Sequence, residues 1–418
     1  MNVCYWISSK LRLRGDGSGS SSTGVVIAVS GVALALVVLE LTLAIVVGFK
    51  DEIRQKLAGF ESQITLSGDF DPTSGVQSSF IELTPELSRI GRSDIAESET
   101  SLVLRFPGII KTSDNFEGIV FVGRSPENSF EFEKSNITKG EWPDFRQDST
   151  ENHIVVSRPT ASALGLGVGD KVFSTFITDG GAVKLRRHKI AGIFESNFGE
   201  YDKTVAYASL RGLQKVCGLD SAGGSAIEIR GIPEEIIDQE TDRLQTEMME
   251  AYSSGKLSEL HPVSNVHFSG AVFYNWLSLL DTNVVVIFIL MLCVAGFTLV
   301  SSLFILILER VRTIGILRAI GASRSKVRNI FIFMAMRLVG LGLAIGNAVG
   351  IGLILIQKYT HVAKLDPAMY YLSHVPVEIS PLSVVLLNVG VIAAAWALLV
   401  LPAHAASGVD PSKTMRYE

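Results

Sequence analysis

The stretch ERVRTIGILRAIGASRSKVR, residues 309–328, joins two long apolar runs and decides how the chain is organised. Set against a single acid, Glu309, it carries six basic residues: Arg310, Arg312, Arg318, Arg324, Lys326 and Arg328. An excess of lysine and arginine in a short loop between apolar helices marks the cytoplasmic side of a membrane. The sequence therefore predicts a membrane protein with this segment in the cytoplasm.

The same segment has the pattern of a short amphipathic helix. Apolar residues recur at every third position and predict one stripe along it: Val311, Ile314, Leu317 and Ile320. Gly321 stands where a helix ends in a left-handed turn, and Ser323 can cap the next helix. An apolar stripe on a helix in the cytoplasm suits a groove on another protein. An ordinary positively charged loop is the alternative.

The charge of the chain is unevenly distributed. Apolar residues make up 47% of the chain, and the mean hydropathy is +0.35. Residues 50–275 hold 23 Lys and Arg against 34 Asp and Glu, whereas the remainder holds 14 against 8. An acidic block beside apolar spans with basic ends indicates that the block lies outside the cytoplasm. Its negative charge also argues against nucleic acid as a partner.

Four apolar runs are long enough to cross the roughly 30 Å hydrocarbon core of a membrane, namely residues 25–48, 282–308, 329–357 and 382–401. The first run is too long for a signal peptide and lacks a clear cleavage site, so we expect it to be retained. In the third run Gly342, Gly346 and Gly350 recur every four residues, which predicts a close contact with another helix. Glycine as a general packing filler is the alternative.

The block between the first two spans, residues 49–275, contains short β-patterned runs such as Ser101–Phe106 and Gly118–Val122. The predicted fold class is an α+β membrane protein with four transmembrane helices and a large strand-rich extracytoplasmic domain between the first and the second. The remaining pieces are a cytosolic or interfacial N-terminus (1–24), a short outer loop (358–381) and a cytosolic tail (402–418).

No catalytic or metal-binding pattern is found. Cys4, Cys217 and Cys293 fall in three different environments of this topology, so we expect no disulfide between them. The seven histidines lack the spacing of a metal site or a nucleophile. The ATP-binding sequence G-x-x-x-x-G-K-[ST] does not occur. We expect no cofactor, no metal and no enzymatic activity in this chain.

Four stretches resemble the lipoprotein-releasing, LolC/LolE-type branch of the MacB/FtsX-type ABC permeases. ERVRTIGILRAIGAS (309–323) resembles the coupling helix that follows the second span of that family. The stretch 154–205, from IVVSRPTASALGLG to KIAGIFESNFGEYDKTV, is similar to its outer domain. YYLSHVPVEISPLSV (370–384) resembles its last outer loop, and DPSKTMRYE (410–418) resembles its closing motif.

The resemblance implies a multi-pass subunit of the cell inner membrane, with both termini cytoplasmic, that moves lipidated proteins. Its expected partners are a separate ABC ATPase, a second permease copy or a related permease, and a periplasmic lipoprotein chaperone. The segment that contacts the ATPase would comprise Glu309, Arg310, Arg312, Ile314, Gly315, Leu317, Arg318, Ile320 and Gly321.

A β-hairpin is predicted where Asp179, Gly180 and Gly181 separate two strand-like runs. In the family such a hairpin of one permease grips the chaperone, although this one is shorter and lacks the family's proline. The matching candidates are Asp179, Gly180, Gly181, Lys184, Arg186 and Arg187. The alternative is that these charges only protect an edge strand.

Glu40 is the one acidic residue inside a predicted span, where a charge costs at least about 2.5–3.5 kcal/mol. Counted along the helices, Asn347 and Asn388 fall at a similar depth. We expect the three to form a polar layer that lines the entry cavity of a lipidated substrate. The alternative is a hydrogen bond that only joins helices.

Two other functions stay open at this point. A MacB-like exporter of peptides or small molecules would work by the same mechanics. An FtsX-like regulator of cell-wall hydrolases would transport nothing, and it usually has a smaller outer domain than these roughly 225 residues. The sequence also leaves open whether two identical permeases or two related ones pair.

Overall fold

The computed structural model describes residues 20–68, 80–92, 95, 98–178, 181–309 and 311–406, without the side chains of residues 20–23, 309, 311, 312, 368 and 400–406. Expectations for residues 1–19 and 407–418 lie outside the described part. The chain divides into two compact units. One contains the residues up to Asp51, Trp276–Lys364 and those from His374 on; the other contains Glu52–Asn275 and Leu365–Ser373.

The helices follow one another along the chain as α1 Ser20–Phe60, α2 Pro85–Ile90, α3 Glu131–Ser135, α4 Arg158–Leu164, α5 Gly199–Thr204, α6 Leu210–Cys217, α7 Ile237–Ser253, α8 Val266–Ser269, α9 Ala271–Glu309, α10 Val311–Ala319, α11 Arg324–Thr360, α12 Pro367–Tyr370 and α13 Pro381–Ala406. The strands are β1 Ile64–Ser67, β2 Ile81–Glu82, β3 Glu99–Lys111, β4 Phe116–Arg124, β5 Ile137–Gly140, β6 His153–Ser157, β7 Lys171–Ile177, β8 Val183–Phe194, β9 Val205–Ala208, β10 Gly223–Gly224, β11 Ala226–Arg230 and β12 Val263–Asn265.

Among its described residues, the first unit contains four helices that are long and apolar enough to cross a membrane: α1, α9, α11 and α13. They include the four apolar runs of the sequence, and all but the last begin several residues before the predicted span. The chain therefore has the four candidate spans that its sequence predicts, and a strand-rich unit follows the first of them in chain order.

Helix α1 is the most enclosed helix of this unit. Half of its most apolar stretch is buried, compared with 33% for α11 and 17% for α9 and α13. Leu36 is fully buried in a core that also contains Leu303 of α9 and Val339 of α11. Lys50 of α1 also pairs with Asp281 of α9 at 2.8 Å. The other helices therefore pack around α1 and keep wide apolar faces uncovered.

The glycines of α11 lie against α1. A Cβ atom at Gly346 would stand 3.0 Å from a methyl carbon of Leu36 and 3.1 Å from the carbonyl oxygen of Ala33. Gly342 and Gly350 meet α1 in the same way, one turn before and one turn after. The two backbones can approach this closely because no side chain separates them, which is the contact that the four-residue spacing predicts.

The second unit is built on a ten-stranded sheet whose middle closes on itself. Strands β3, β4, β9, β6, β8 and β7 pair in that order, and β7 returns to pair with β3. Outside this ring, β5 pairs with β8, while β11, β1 and β12 extend the sheet from β3. A small separate sheet joins β2 and β10.

Aromatic side chains fill the ring. The rings of Phe121 and Phe176 lie 4.9 Å apart, and both contact the imidazole of His188. A Cβ atom at Gly108 would come within 2.9 Å of Phe176, so this strand position has no room for a side chain. The core of the second unit therefore depends on a glycine beneath two phenylalanines.

We predict that Gly346→Leu lowers the free energy of unfolding by about 1–3 kcal/mol, because the added side chain is forced against Leu36 and Ala33. Gly340→Leu is the matched control, since a Cβ atom there meets nothing within 4 Å. Thermal unfolding of the detergent-solubilised chain measures both variants. Equal effects at the two positions would contradict the tight contact.

Candidate functional site

The segment between α9 and α11 forms the short helix that the sequence predicts. Helix α10 ends in a Schellman turn, in which the N–H of Ala322 bonds the carbonyl of Leu317 and the N–H of Gly321 bonds that of Arg318, each at 3.0 Å. Gly321 has a φ of +97°, and the side chain of Ser323 accepts from the N–H of Lys326 at the start of α11. Both ends of the turn are therefore held by hydrogen bonds.

The apolar residues of α10 do not form one exposed stripe, and in this respect the sequence prediction was wrong. Ile314 is 1% exposed and packs into the helix core with Val327 and Phe331. Among the described side chains of this segment, the exposed large apolar ones are Ile316, at 54%, and Ile320, which directly follows the helix, at 79%. The turn that they occupy faces away from the bundle because Ile314, on the other side of α10, is buried in it.

Basic residues surround this exposed turn. Arg324 and Lys326 are exposed, whereas Arg318 and Arg328 are half-buried. Arg310 lies outside the described residues, and only the backbone is described at Glu309 and Arg312. Gly315 is buried and Leu317 is half-buried, so they support the helix from within. The surface that α10 offers to a partner is thus two isoleucines beside lysine and arginine.

The predicted hairpin is present as β7 and β8, which pair from Lys171 with Lys189 to Ile177 with Val183. Gly181 takes a φ of +73° in the turn, while Asp179 and Gly180 lie outside the described residues. Of the other candidates, only Arg187 is exposed. Lys184 and Arg186 lie on the opposite face of the strand, and Lys184 donates to the carbonyl of Val216.

The outer face of this hairpin is apolar with a basic margin. Its exposed apolar residues are Phe173, Ile177, Val183 and Leu185. Arg187 stands opposite Phe173 in the register, and Lys171 stands opposite Lys189 at the base of the hairpin. We call this set the hairpin face. Sequence reasoning singled out the charges and missed the apolar alternation F-x-T-x-I and V-x-L, which was the available signal.

The inner face of the hairpin carries a buried polar pair. His188 and Ser174 are joined by a 2.8 Å hydrogen bond between Nδ1 and Oγ. Burial lowers the pKa of His188 to about 4, and the nearby charge of Arg186 acts in the same direction. The imidazole is therefore neutral at neutral pH and acts as part of the core.

The three intramembrane polar residues form two separate features. The side-chain amides of Asn347 and Asn388 bond each other reciprocally, both at 2.9 Å, and join α11 to α13. Glu40 is fully buried, and its carboxylate oxygens make no hydrogen bond with any described residue. It lies against Gly350, where a Cβ atom would come within 2.1 Å of Oε2.

The last turn of α1 is fastened to the sheet by two arginines. Arg230 donates to the carbonyls of Ala58 at 3.1 Å and Gly59 at 2.9 Å, and Arg105 donates to that of Phe60 at 3.0 Å. Both guanidinium groups also pair with the carboxylate of Glu228, which is 1% exposed. We call these three charged residues the arginine clamp.

The clamp satisfies carbonyls that a helix end leaves without partners. Burial raises the pKa of the Glu228 carboxyl, but the charges of Arg105 and Arg230 outweigh it and hold the pKa below its usual range. Glu228 is therefore ionised at neutral pH, and it fixes the orientation of both arginines. In the part of the chain that the structure describes, no group of acidic, histidine or cysteine residues is arranged to hold a metal.

Two family models match the chain. The MacB-like periplasmic core domain matches residues 25–245, and the FtsX-like permease C-terminal domain matches residues 285–411. The first match alone covers more than half of the chain. The chain belongs to the MacB/FtsX-type permeases.

Curated relatives of this permease are LolC proteins. It is 24% identical over 390 residues to the lipoprotein-releasing system transmembrane protein LolC of Xylella fastidiosa strain Temecula1, which covers 90% of each chain. It is also 24% identical over 285 residues to LolC of Neisseria meningitidis serogroup B, which covers 64% of this chain and 66% of that one. The resemblance to the LolC/LolE-type branch is thus confirmed.

Solved structures similar to the permease come from outer domains. The extracellular domain of the ABC-type transporter YknZ from Gram-positive bacteria matches 48% of this chain and 99% of its own, with 13% identity and a TM-score of 0.34. The periplasmic region of MacB from Actinobacillus actinomycetemcomitans matches 52% of this chain and 96% of its own, with 8% identity and a TM-score of 0.35.

We predict that Arg230→Met lowers the free energy of unfolding of the permease by about 3 kcal/mol. The change removes one partner of the buried Glu228 and uncaps two carbonyls. Arg243→Met is the control, because this arginine pairs with Glu240 and Glu247 on the surface of α7 and should cost under about 1 kcal/mol. Thermal unfolding in detergent measures both. A loss no larger than that of the control would contradict the clamp.

Proposed function

We propose that the chain is the transmembrane permease subunit of an ABC-type lipoprotein-releasing complex. The observation that carries the proposal is the exposed, hydrogen-bonded turn of α10 between two apolar helices, in a chain that is similar to LolC over 90% of its length. The complex would extract lipidated proteins from the inner membrane and pass them to a periplasmic chaperone. ATP would be hydrolysed by a separate subunit.

In this proposal α1, α9, α11 and α13 cross the inner membrane, and both termini are cytoplasmic. The basic residues around α10 favour the cytoplasm for that loop, and the acidic strand-rich unit then lies on the periplasmic side. For this topology we propose the domain boundaries of the sequence analysis: spans at 25–48, 282–308, 329–357 and 382–401, with a periplasmic domain at 49–275.

The ATPase would bind the exposed turn of α10. Ile316 and Ile320 supply an apolar contact, and the neighbouring basic residues suit an acidic rim on the partner. The Schellman turn and the Ser323 cap leave α10 little freedom to rotate against α11. A push on α10 by the closing ATPase is thereby passed to the helices.

A second permease would cover part of the exposed apolar surface of the spans. α9 presents a run of exposed apolar residues: Val285, Val286, Ile289, Leu290, Val294 and Phe297. Lipidated substrates would enter sideways between the first and second spans of the paired subunits. Glu40, Asn347 and Asn388 remain candidates for a polar layer beside that entry, and Glu40→Gln tests whether its charge serves release.

We predict that Ile316→Ser reduces the amount of ATPase that co-purifies with the chain from its native membrane at least about tenfold, since an apolar anchor is lost. Ile356→Ser is the control, because both isoleucines are 54% exposed. Ile356 lies near the C-terminal end of α11, whereas α10 precedes the N-terminal end. Mass spectrometry of the purified sample identifies and quantifies the ATPase.

The same sample separates the rival functions. Triacylated lipoproteins in the wild-type sample support release, whereas a periplasmic adaptor without lipoproteins favours a MacB-like exporter. A second permease in the sample distinguishes a heterodimer from a homodimer. An ATPase that is absent from the wild-type sample, or unaffected by Ile316→Ser, would contradict the role of α10.

The chaperone would bind the hairpin face. Its apolar side chains are exposed on the outer face of the hairpin. Its basic margin gives a positive potential on an otherwise acidic unit. We expect Lys184 and Arg186 to contribute less than Arg187, because they lie on the inner side of the hairpin. Asp179, Gly180 and Gly181 would shape the turn at its tip.

We predict that Phe173→Ser abolishes cross-linking of the periplasmic chaperone to a photoreactive group at Ile177, because the centre of the hairpin face is lost. Met249→Ser is the control: Met249 lies on α7 and is 51% exposed, compared with 50% for Phe173. Cross-linked products are counted in whole cells by immunoblot. Undiminished cross-linking in Phe173→Ser would show that the chaperone binds elsewhere.

A further inference from the structure

A cavity of about 200 Å³ lies in the strand-rich unit, over one face of the sheet. Its floor consists of side chains from β11, β3, β4 and β9, which are neighbours in the sheet order. The aromatic residues Phe130, Trp142 and Phe145 line it on another side. None of the functions proposed above uses this cavity.

The charged groups around the cavity are already paired. Glu228 is held by the two arginines of the clamp, and Arg124 bonds Glu133 at 3.1 Å, with side chains only 5% and 4% exposed. Glu61 accepts a hydrogen bond from the hydroxyl of Tyr201 at 2.9 Å. The three arginines and three glutamates of the cavity wall thus balance in charge, and a charged ligand would upset that balance.

The cavity wall also carries a neutral phenol group, that of Tyr207. Tyr207 is 7% exposed and its ring packs 5.3 Å from that of Trp142. Burial raises the pKa of the phenol, so the hydroxyl keeps its proton at neutral pH. The hydroxyl can therefore donate a hydrogen bond to an acceptor in the cavity.

The rest of the wall is apolar. Val120, Val122 and Val205 come from alternate positions of paired strands, β4 and β9, and therefore lie on the same face as Tyr207. At about 30 Å³ for each water-sized group, the cavity holds roughly six or seven non-hydrogen atoms. That is the size of the end of an acyl chain, far smaller than a whole lipid.

We propose that this cavity binds an uncharged acyl ester or amide, whose carbonyl accepts a hydrogen bond from Tyr207 and whose tail packs against the valines and the aromatic rings. The ligand comes either from an acylated protein or from a soluble ester, because both present the same carbonyl and tail. The site goes beyond the proposed function, since extraction by the spans and transfer by the hairpin face do not require it.

Trp142 provides the test, because it is part of the cavity wall. The other tryptophans, Trp6, Trp276 and Trp396, are replaced by phenylalanine in the full chain, which is reconstituted in nanodiscs of unbrominated lipid. Its fluorescence is then titrated with methyl 3-bromopropanoate, which has seven non-hydrogen atoms, with sodium 3-bromopropanoate and with 1-bromobutane. Bromine quenches tryptophan only at close range, so saturable quenching reports occupancy.

We expect saturable quenching by the methyl ester, with the carboxylate and the bromoalkane at least tenfold weaker. Tyr207→Phe should bring the ester down to the level of the bromoalkane. Val122→Phe, which fills the cavity, should abolish the saturable component, whereas Val168→Phe, at a valine that is 45% exposed and does not line the cavity, should leave the quenching unchanged. Circular dichroism confirms that each variant is folded.

Three results would overturn the proposal. The first is that the ester gives no saturable quenching, which would mean that the cavity is filled with water. The second is that the carboxylate binds more tightly than the ester, and the third is that quenching survives in Val122→Phe. A lipopeptide with brominated acyl ends then identifies the source. If it quenches Trp142 and Val122→Phe removes the effect, the ligand is a protein-linked acyl chain; if only the methyl ester quenches, it is a soluble ester. The proposed function is tested separately by co-purification of the ATPase. If Val122→Phe still co-purifies with the ATPase but loses the quenching, the cavity is affected while assembly of the complex is not.

Discussion

The end of α1 depends on one buried carboxylate. Glu228 holds Arg105 and Arg230 in place, and these two arginines bond the last three carbonyls of the helix. Without Glu228 two positive charges would face each other beside a helix end, which electrostatics strongly disfavours. The same residues form part of the floor of the cavity of about 200 Å³. One ionised group thus supports both the attachment of α1 and the shape of a candidate binding site.

The membrane unit relies on close packing where the strand-rich unit relies on charge. Within the lipid, helix association has little hydrophobic driving force and depends on contact between backbones, which the glycines of α11 permit against α1. The reciprocal amide pair of Asn347 and Asn388 adds a directional bond between α11 and α13. Buried Glu40 stands out because it packs against Gly350 but makes no such directional bond with any described residue.

Local sequence patterns made much of this fold predictable from the sequence. Four apolar runs, the glycine spacing, the Gly321 turn with its Ser323 cap and the β7–β8 hairpin each depend on neighbours in the chain, and the structure contains them. The burial of Ile314 was missed because it depends on Val327 and Phe331, which a helical repeat in α10 does not reveal. The arginine clamp was missed for the same reason, although a carboxylate and an arginine two residues apart in the strand I-E-I-R were a visible signal.

The clamp also imposes an order on biosynthesis. Arg230 reaches carbonyls that lie up to 172 residues earlier in the chain, and β1 pairs with β12, whose residues Val263–Asn265 are made later still. When α1 has just emerged from the ribosome, the residues that cap its end and pair with β1 are not yet made. The helix end therefore stays uncapped and the strand unpaired for most of the synthesis of this unit. Such long-range closure is slow, so apolar surface of this unit stays uncovered until residue 265 has emerged.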